Sequence, residues 1–374
     1  MHTERLSQLI EQASAYGLDA LALVPGPNLL YLTGLSFHLS ERPIVTLFPV
    51  DGPPAIVLPT LEAAKVERAT IGLEVFSYTD EEGYTAAFQR ACASLPLADC
   101  ILGVEALQMR LLEVRLLERY APNCQLIPAE EVLTELRIRK DERELEQIRR
   151  AVAVTEAALR ATVRQVQAGM TEREVAALLT VEMLQAGGEG IAFPPIVVAG
   201  PNAASPHATP TDRAIQPGET IIVDCGATVG GYAADITRTF AIGELEPELA
   251  RVYEVVRAAN EAGRAAAGPG VPVEEVDRAA RAVIEEAGYG EYFIHRTGHG
   301  LGLEVHEPPF IVAGNGRPLE PGMTFTVEPG VYLPGRGGVR IEDDVVVTPS
   351  GAESLTTFTR EFVSLSSGST IRTG

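Results

Sequence analysis

Basic residues are scarce in this 374-residue chain: 30 Lys+Arg stand against 51 Asp+Glu, a formal charge of −21. A surface with that balance offers no broad cationic patch, which argues against nucleic acid or an anionic membrane as partner. Long apolar runs are missing too, and no stretch approaches the roughly 18 residues of a membrane-spanning helix. The opening MHTERLSQLIEQ places acid and polar side chains where a secretory signal would carry a basic end and an apolar stretch. Cysteine is sparse: Cys92, Cys100, Cys124 and Cys225 are far apart in sequence and form no CxxC pair. Thiols scattered in this way argue for a reducing cytoplasm and against a disulfide framework. Cys225, a small residue in an apolar strand, reads as packing and not as a nucleophile. Two catalytic signatures are absent: His306 is followed by EPPF, so there is no HExxH, and there is no GxSxG elbow. TGHGLG is glycine-rich but lacks the strand-then-helix setting and acidic partner of a dinucleotide fingerprint.

What is present reads as two domains, in line with the length. Leu6, Leu9, Ile10 and Ala13 mark one face of a helix, followed by the short strand LALV; PIVTLF, AIVL and ILGV are further strands. Helical stretches alternate with short strands between Ala63 and Arg119, the pattern of a small mixed α/β domain. Near Thr134 the character changes to the charged run ELRIRKDERELEQIRR, which leads into a long helix and places the boundary at 135–142. The expected division is 1–138 for the mixed α/β domain, 139–362 for a larger α+β domain, and 363–374 for a polar, flexible tail.

The larger domain carries an internal repeat. AGMTEREVAALLTVEMLQAGG at 168–188 matches PGVPVEEVDRAARAVIEEAGY at 269–289 with a constant offset of 101, pairing Gly169 with Gly270, Glu174 with Glu275 and Gly187 with Gly288. Each unit follows a long Ala-rich helix and is bounded by glycine stops. β-rich sequence comes next in both: IIVDCGA and YAADITRTF in the first half, MTFTVEPGVYL and GVRIEDDVVVT in the second. The simplest architecture is helix–helix–sheet, duplicated about a pseudo-twofold axis.

Acids inside those apolar strands need a reason. Asp224 interrupts IIVDCGA, Asp235 interrupts YAADITRTF, Glu328 ends MTFTVE and Glu342 lies in VRIEDDVVV. The Gly-Gly turn in ATVGG lets the first two strands pair as a hairpin and bring their carboxylates together. Four carboxylates in one core without counter-charge would cost many kcal/mol. Two divalent cations would neutralise them, and His299 of TGHGLG adds a nitrogen ligand. Oxygen-rich ligation favours hard ions such as Mn²⁺ and admits Co²⁺, Fe²⁺ or Zn²⁺.

NAASPHATPTDR, IIVDCGATVGGYAADITRTF, HRTGHGLGLEVHEPP, TFTVEPGVY and GGVRIEDDVVVT resemble the motif blocks of the pita-bread-fold metallopeptidases, which include methionine aminopeptidase, aminopeptidase P, prolidase and the metal-free creatinase. The resemblance is dense over about residues 142–362; the N-terminal part matches in outline only, around PGPNLLYLTG. It implies a pita-bread catalytic domain behind a creatinase/prolidase-like N-terminal domain, with metal ligands Asp224, Asp235, His299, Glu328 and Glu342. Creatinase-like members lack this full set. His207 of SPHATP and His306 of EVHE match the outer histidines of the family, which implies catalytic roles for both.

Within the family, His295 and Arg340 match the proline-directed pattern, which implies hydrolysis of an Xaa-Pro bond. In the implied mechanism Glu328 receives a proton from a water activated by the cations, and His207 or His306 stabilises the oxyanion. His295 and His306 line a pocket for the proline ring, and Arg340 orients a ligand carboxylate. A dipeptidase must also hold the free carboxylate of its substrate, for which Arg336 and Arg340 are candidates. In prolidase-like enzymes the first domain helps close the cleft, often from the neighbouring subunit, which adds His38 and Arg42 of SFHLSERP. The expected activity is that of an Xaa-Pro dipeptidase. Aminopeptidase P, methionine aminopeptidase and a non-enzymatic peptide-binding module are the alternatives, in that order. A homodimer is expected from the family.

Overall fold

The computed structural model describes residues 2–365. The chain divides into two compact units, Met1–Arg137 and Ile138–Gly374. No helix among the described residues is long and apolar enough to cross a membrane.

The first unit runs α1 (His2–Ala15), β1 (Ala20–Leu23), α2 (Pro27–Thr33), β2 (Val45–Pro49), β3 (Ala55–Pro59), α3 (Ala63–Val66), β4 (Glu74–Tyr78), α4 (Thr85–Ser94), β5 (Ile101–Val104), α5 (Leu111–Tyr120), β6 (Gln125–Pro128) and α6 (Glu130–Arg137). One sheet collects the strands in the order β4-β3-β2-β1-β5-β6. β2 is antiparallel to both neighbours, and every other pairing is parallel. β1, β2 and β3 are buried along their whole length, which is why their sequences are apolar runs and do not alternate. Leu9 and Ala13, one helical turn apart on α1, are fully buried. The expected mixed α/β layout is therefore present; β4 and β6, short and partly exposed, carried too little apolar signal to be read.

The second unit opens with α7 (Glu142–Val163) and α8 (Glu172–Gln185), each started by a capping box, Asp141 with Glu144 and Thr171 with Glu174. Then come β7 (Gly190–Ile191), β8 (Ile196–Ala199), β9 (Thr220–Cys225), β10 (Ala227–Val229), β11 (Tyr232–Ala233) and β12 (Ile236–Ile242). The second half repeats the plan with α9 (Pro247–Ala266), α10 (Val273–Glu286), β13 (Gly298–Gly300), β14 (Glu307–Ile311), β15 (Thr324–Val327), β16 (Gly330–Leu333), β17 (Gly337–Arg340), β18 (Asp343–Thr348) and β19 (Gly351–Ser354). β20 (Ser364–Leu365) pairs in parallel with the end of β12. The expected flexible tail thus contributes a strand at its start, and its remainder, 366–374, lies outside the described residues.

The repeat is visible in the elements themselves, since the bounds of α8 and α10 differ by the 101 positions seen in sequence. The glycines flanking them, Gly169 and Gly187, Gly270 and Gly288, all have positive φ, a backbone state that a side chain would strain. The sheets follow in parallel fashion, with β20-β12-β9-β8 in the first half and β14-β13-β15-β18-β19 in the second. β9 and β12 pair antiparallel with Asp224 opposite Thr237, and Gly230 and Gly231 turn the small β10–β11 hairpin between them. Two expected strands are broken: YAADITRTF parts at Ala234 and Asp235, and GVRIEDDVVVT at Ile341 and Glu342. At both breaks the backbone leaves the ladder where an acid must turn inward.

Candidate metal centre

The acids that interrupt the strands converge. Asp224 lies near the end of β9, Asp235 in the gap before β12, Glu328 directly after β15, and Glu342 between β17 and β18. With His299 and His306 they make three clusters whose donor atoms lie within 4.8 Å of one another: Asp224, Asp235 and Glu342; His299, Glu328 and Glu342; Asp235, His299 and His306. A shift of register between His299 and Gly300 marks a bulge in β13, a device that re-aims a side chain. A cavity of about 570 Å³ opens over the clusters, walled also by His207, His295, Arg296 and Arg340 and by the apolar Phe193, Ile196 and Val305.

The electrostatics is that of an over-charged anionic core. Burial, then repulsion from neighbouring carboxylates, pushes Asp235 and Glu342 well above the ordinary carboxylate range. Burial also raises Asp224, although Arg340 pulls the other way. For Glu328 burial acts upward as well, but His299, 3.3 Å away, holds it at about 2. Asp224 Oδ1 is buried with no hydrogen-bond partner among the described residues. An orphaned carboxylate oxygen, raised carboxyl groups and an imidazole among them fit divalent cations, which would satisfy the first and reverse the second. His299 Nδ1 lies 3.1 Å from the Gly300 carbonyl. Without an ion, an Nε2–H faces Glu328 and Asp235, at 3.3 and 3.6 Å; a bound cation would take the place of that proton, with Nδ1 donating to the Gly300 carbonyl.

A buried network holds this arrangement. Arg340, 3 % exposed, donates to Asp224 Oδ2 at 2.6 Å, to the Tyr332 hydroxyl at 2.9 Å and to the Pro206 carbonyl at 3.3 Å. A guanidinium only donates, so the Tyr332 hydroxyl proton is free for His295 Nε2, 2.9 Å away. His295 Nδ1 then donates to the Arg296 carbonyl at 2.7 Å. Both ring nitrogens are engaged, and burial pushes the imidazole down, so His295 is neutral and presents carbon to the cavity. Thr237 donates to Glu342 Oε2 at 2.5 Å, and Asp344 Oδ2 accepts the Asp235 backbone N–H at 3.1 Å. Two fully buried acids on the repeated helices brace the histidine-bearing segments. Glu172 of α8 accepts from Ala199 N, Asn202 and Thr211, on both sides of His207. Asp277 of α10 accepts from the backbone and hydroxyl of Thr297, between His295 and His299.

His207 and His306 both line the cavity and are exposed, with the His306 ring edge-on to His299 at a centroid distance of 4.1 Å. Part of the ring is exposed, but burial of the rest, then His299 and Arg296, push the His306 imidazole down to about 4. Arg336 is elsewhere. Its side chain is 43 % exposed, pairs with Glu246 at 2.5 Å and with Glu248, and does not line the cavity. The structure thus sets the expected substrate-binding Arg336 apart from the cavity and against two acids nearly ninety residues away in sequence. His38 is exposed in the loop between α2 and β2, and Arg42 is held by Asp80 at 2.8 Å and Glu41 at 2.7 Å. Three residues escaped the sequence reading: Tyr332, Asp344 and Arg296. Arg296 lines the cavity with its guanidinium over the Phe310 ring at 4.5 Å, and forms no ion pair among the described residues. Its only sequence signal was its place between His295 and His299.

Comparison with known proteins gives the family. The profile of metallopeptidase family M24 matches residues 146–349, and that of the creatinase/prolidase N-terminal domain matches 5–139. The chain is 38% identical to the protein named "Probable dipeptidase PepE" of Mycobacterium tuberculosis, over 97% of this chain and 96% of that one. It is similar to the crystal structure of a prolidase from Thermococcus sibiricus, at 34% identity and TM-score 0.92, covering 98% and 99% of the two chains. An X-Pro aminopeptidase from Thermotoga maritima is also 34% identical, with TM-score 0.84 over 96% and 99%. With the family profile matched over 146–349 and relatives matched along nearly the whole chain, the chain belongs to metallopeptidase family M24.

Proposed function

We propose that the protein is a divalent-metal-dependent Xaa-Pro dipeptidase, with Asp224, Asp235, His299, Glu328 and Glu342 holding two ions, Mn²⁺ first among them. The observation that carries the dipeptidase reading is Arg296: an arginine in the wall of the cavity that forms no ion pair among the described residues, although Glu328 lies near enough to act on its charge, is suited to the free carboxylate of a two-residue substrate. Relatives named dipeptidase and prolidase support the same reading.

When bound, the ions supply Lewis acidity, lowering the pKa of water and polarising the scissile carbonyl. The residues of the chain do the rest. Glu328, ionised at neutral pH, takes the proton of the attacking water and passes it on to the departing proline nitrogen. His207 and His306, both at the cavity wall, donate hydrogen bonds to the oxyanion that develops. His295, with its nitrogens engaged, offers an apolar ring face that suits proline and cannot act as an acid or base. Arg340 fixes Asp224 and the Pro206 carbonyl beside His207, so its part is orientation and not carboxylate capture.

An aminopeptidase P remains the second reading, favoured by the similarity to the Thermotoga enzyme. Metal-stripped protein restored with Mn²⁺ should hydrolyse Ala-Pro and Leu-Pro well and Ala-Pro-Ala poorly. Faster release of alanine from the tripeptide would overturn the dipeptidase assignment, and cleavage of Met-Ala alone would overturn proline specificity. We also place the protein in the cytoplasm as a homodimer, which light scattering and fractionation test. Of the first-unit residues, His38 is retained as a substrate-facing candidate on the family resemblance; an unchanged KM in His38→Ala would remove it.

A further inference from the structure

Three of the four cysteines share one core in the first unit. Cys92 and Cys100 are buried, and Cys124 is partly exposed at its edge. The parallel register of β5 and β6 begins at Ile101 opposite Gln125, so Cys100 and Cys124 stand side by side one step earlier. The Gln125 N–H bonds to the Cys100 carbonyl at 2.8 Å, which keeps the two backbones in step there. Neighbouring strands lie about 4.8 Å apart, which falls within the window of roughly 4.4–6.8 Å that a disulfide spans between Cα atoms. The two Sγ atoms are 2.7 Å apart, closer than two unbonded sulfurs ordinarily approach. β6 is the last strand of its sheet, four residues long and partly exposed, so only one neighbour holds it.

We propose that Cys100 and Cys124 are an oxidisable pair whose disulfide staples the edge strand β6 to β5. With a low-molecular-weight disulfide such as oxidised glutathione as oxidant, the Cys124 thiolate attacks one glutathione sulfur and expels the other half as a thiolate. The Cys100 thiolate then attacks the Cys124 sulfur of that mixed disulfide and expels the second half. Two protein thiols have lost two electrons and two protons, and the oxidant has been reduced to two thiols. Cys124 is the entry point because it is the accessible member. Burial, then the bond to Cys100, push its thiol up to about 12, so thiolate is scarce at neutral pH and the reaction is slow there. Its rate should rise about tenfold per pH unit through the mildly alkaline range.

The test uses the full chain, incubated natively with oxidised glutathione at mildly alkaline pH. Titratable thiols should fall from the four of the reduced protein to two, with a linked peptide holding Cys100 and Cys124 in a non-reducing digest. The melting temperature should rise by several degrees and return on reduction. Cys92→Ala should respond in the same way, and Cys124→Ala should not respond. Persistence of four thiols, a linked peptide containing Cys92, or a stable glutathione adduct on Cys124 would each overturn the assignment. The cross-link is mapped on the unaltered chain, so its position is read independently of how either variant folds.

Discussion

Arg340 divides the Asp224 carboxylate in two: its Nη2 takes Oδ2 at 2.6 Å, while Oδ1 has no hydrogen-bond partner among the described residues. The same guanidinium also holds Tyr332 and the Pro206 carbonyl, a fork that a lysine ammonium cannot reproduce. Arg340→Lys should therefore keep the charge and lose the geometry. Metal affinity should fall by about 10- to 100-fold, as is usual when a partner behind a ligand is lost. A Mn²⁺ titration followed by activity would measure it, and an unchanged midpoint would show that Asp224 does not depend on this pair.

Arg296→Gln separates the two proline-directed readings. A charge-assisted hydrogen bond contributes about 1.5–3 kcal/mol, or roughly 10- to 100-fold in binding. KM for Leu-Pro should rise by about that factor, with kcat much less affected and hydrolysis of Leu-Pro amide unchanged. Equal losses on the dipeptide and its amide would mean that Arg296 does not read the carboxylate.

Glu328→Gln should lower kcat by about 10²–10⁴, the usual span for a lost general base. The metal content of the variant must be measured alongside, because Glu328 is also a proposed ligand. A metal-replete variant with near-normal kcat would remove the proton-shuttle role.

Metal-free protein should show an inverted pH response. Asp235 and Glu342 have carboxyl groups raised in the folded state, so each contributes stability that is fully present below the unfolded value of about 4. That contribution is lost as pH climbs through the raised value, at about 1.4 kcal/mol per pH unit per proton. Stripped protein should therefore melt at higher temperature at pH 5 than at pH 8. The double variant Asp235→Asn with Glu342→Gln should flatten the slope, and Mn²⁺ should raise the melting temperature of the unaltered chain most at high pH. Parallel slopes for the stripped protein and the double variant would show that these acids do not carry the effect.

The convergence of Asp224, Asp235, Glu328, Glu342 and His299 was legible because each acid interrupts an apolar strand, and the repeat told which strands correspond. The N-terminal layout was legible for the same reason, since fully buried strands such as β1 announce themselves. What escaped was set by contacts distant in sequence. Arg336 looked available because Glu246 and Glu248 are remote from it. Tyr332 looked like one more apolar strand residue, although its hydroxyl joins Arg340 to His295. Asp344 was hidden behind Glu342 and Asp343 in a run of acids, yet it holds the Asp235 backbone. The cysteines looked scattered because strand register, not spacing, sets Cys100 beside Cys124.

Two of the three donor clusters draw on both halves of the repeat, joining Asp224 or Asp235 to Glu342, His299 or His306. Neither half owns all the donors of these clusters. Occupancy is then a report on whether the halves are mated, and a cation that bridges them acts as a clasp as much as a reagent. A chain severed in the link at 243–246, between β12 and α9, would be a two-piece protein already joined by apolar packing, with Ala234 and Ile236 in one cluster with Val346, and a bound cation should tighten that union.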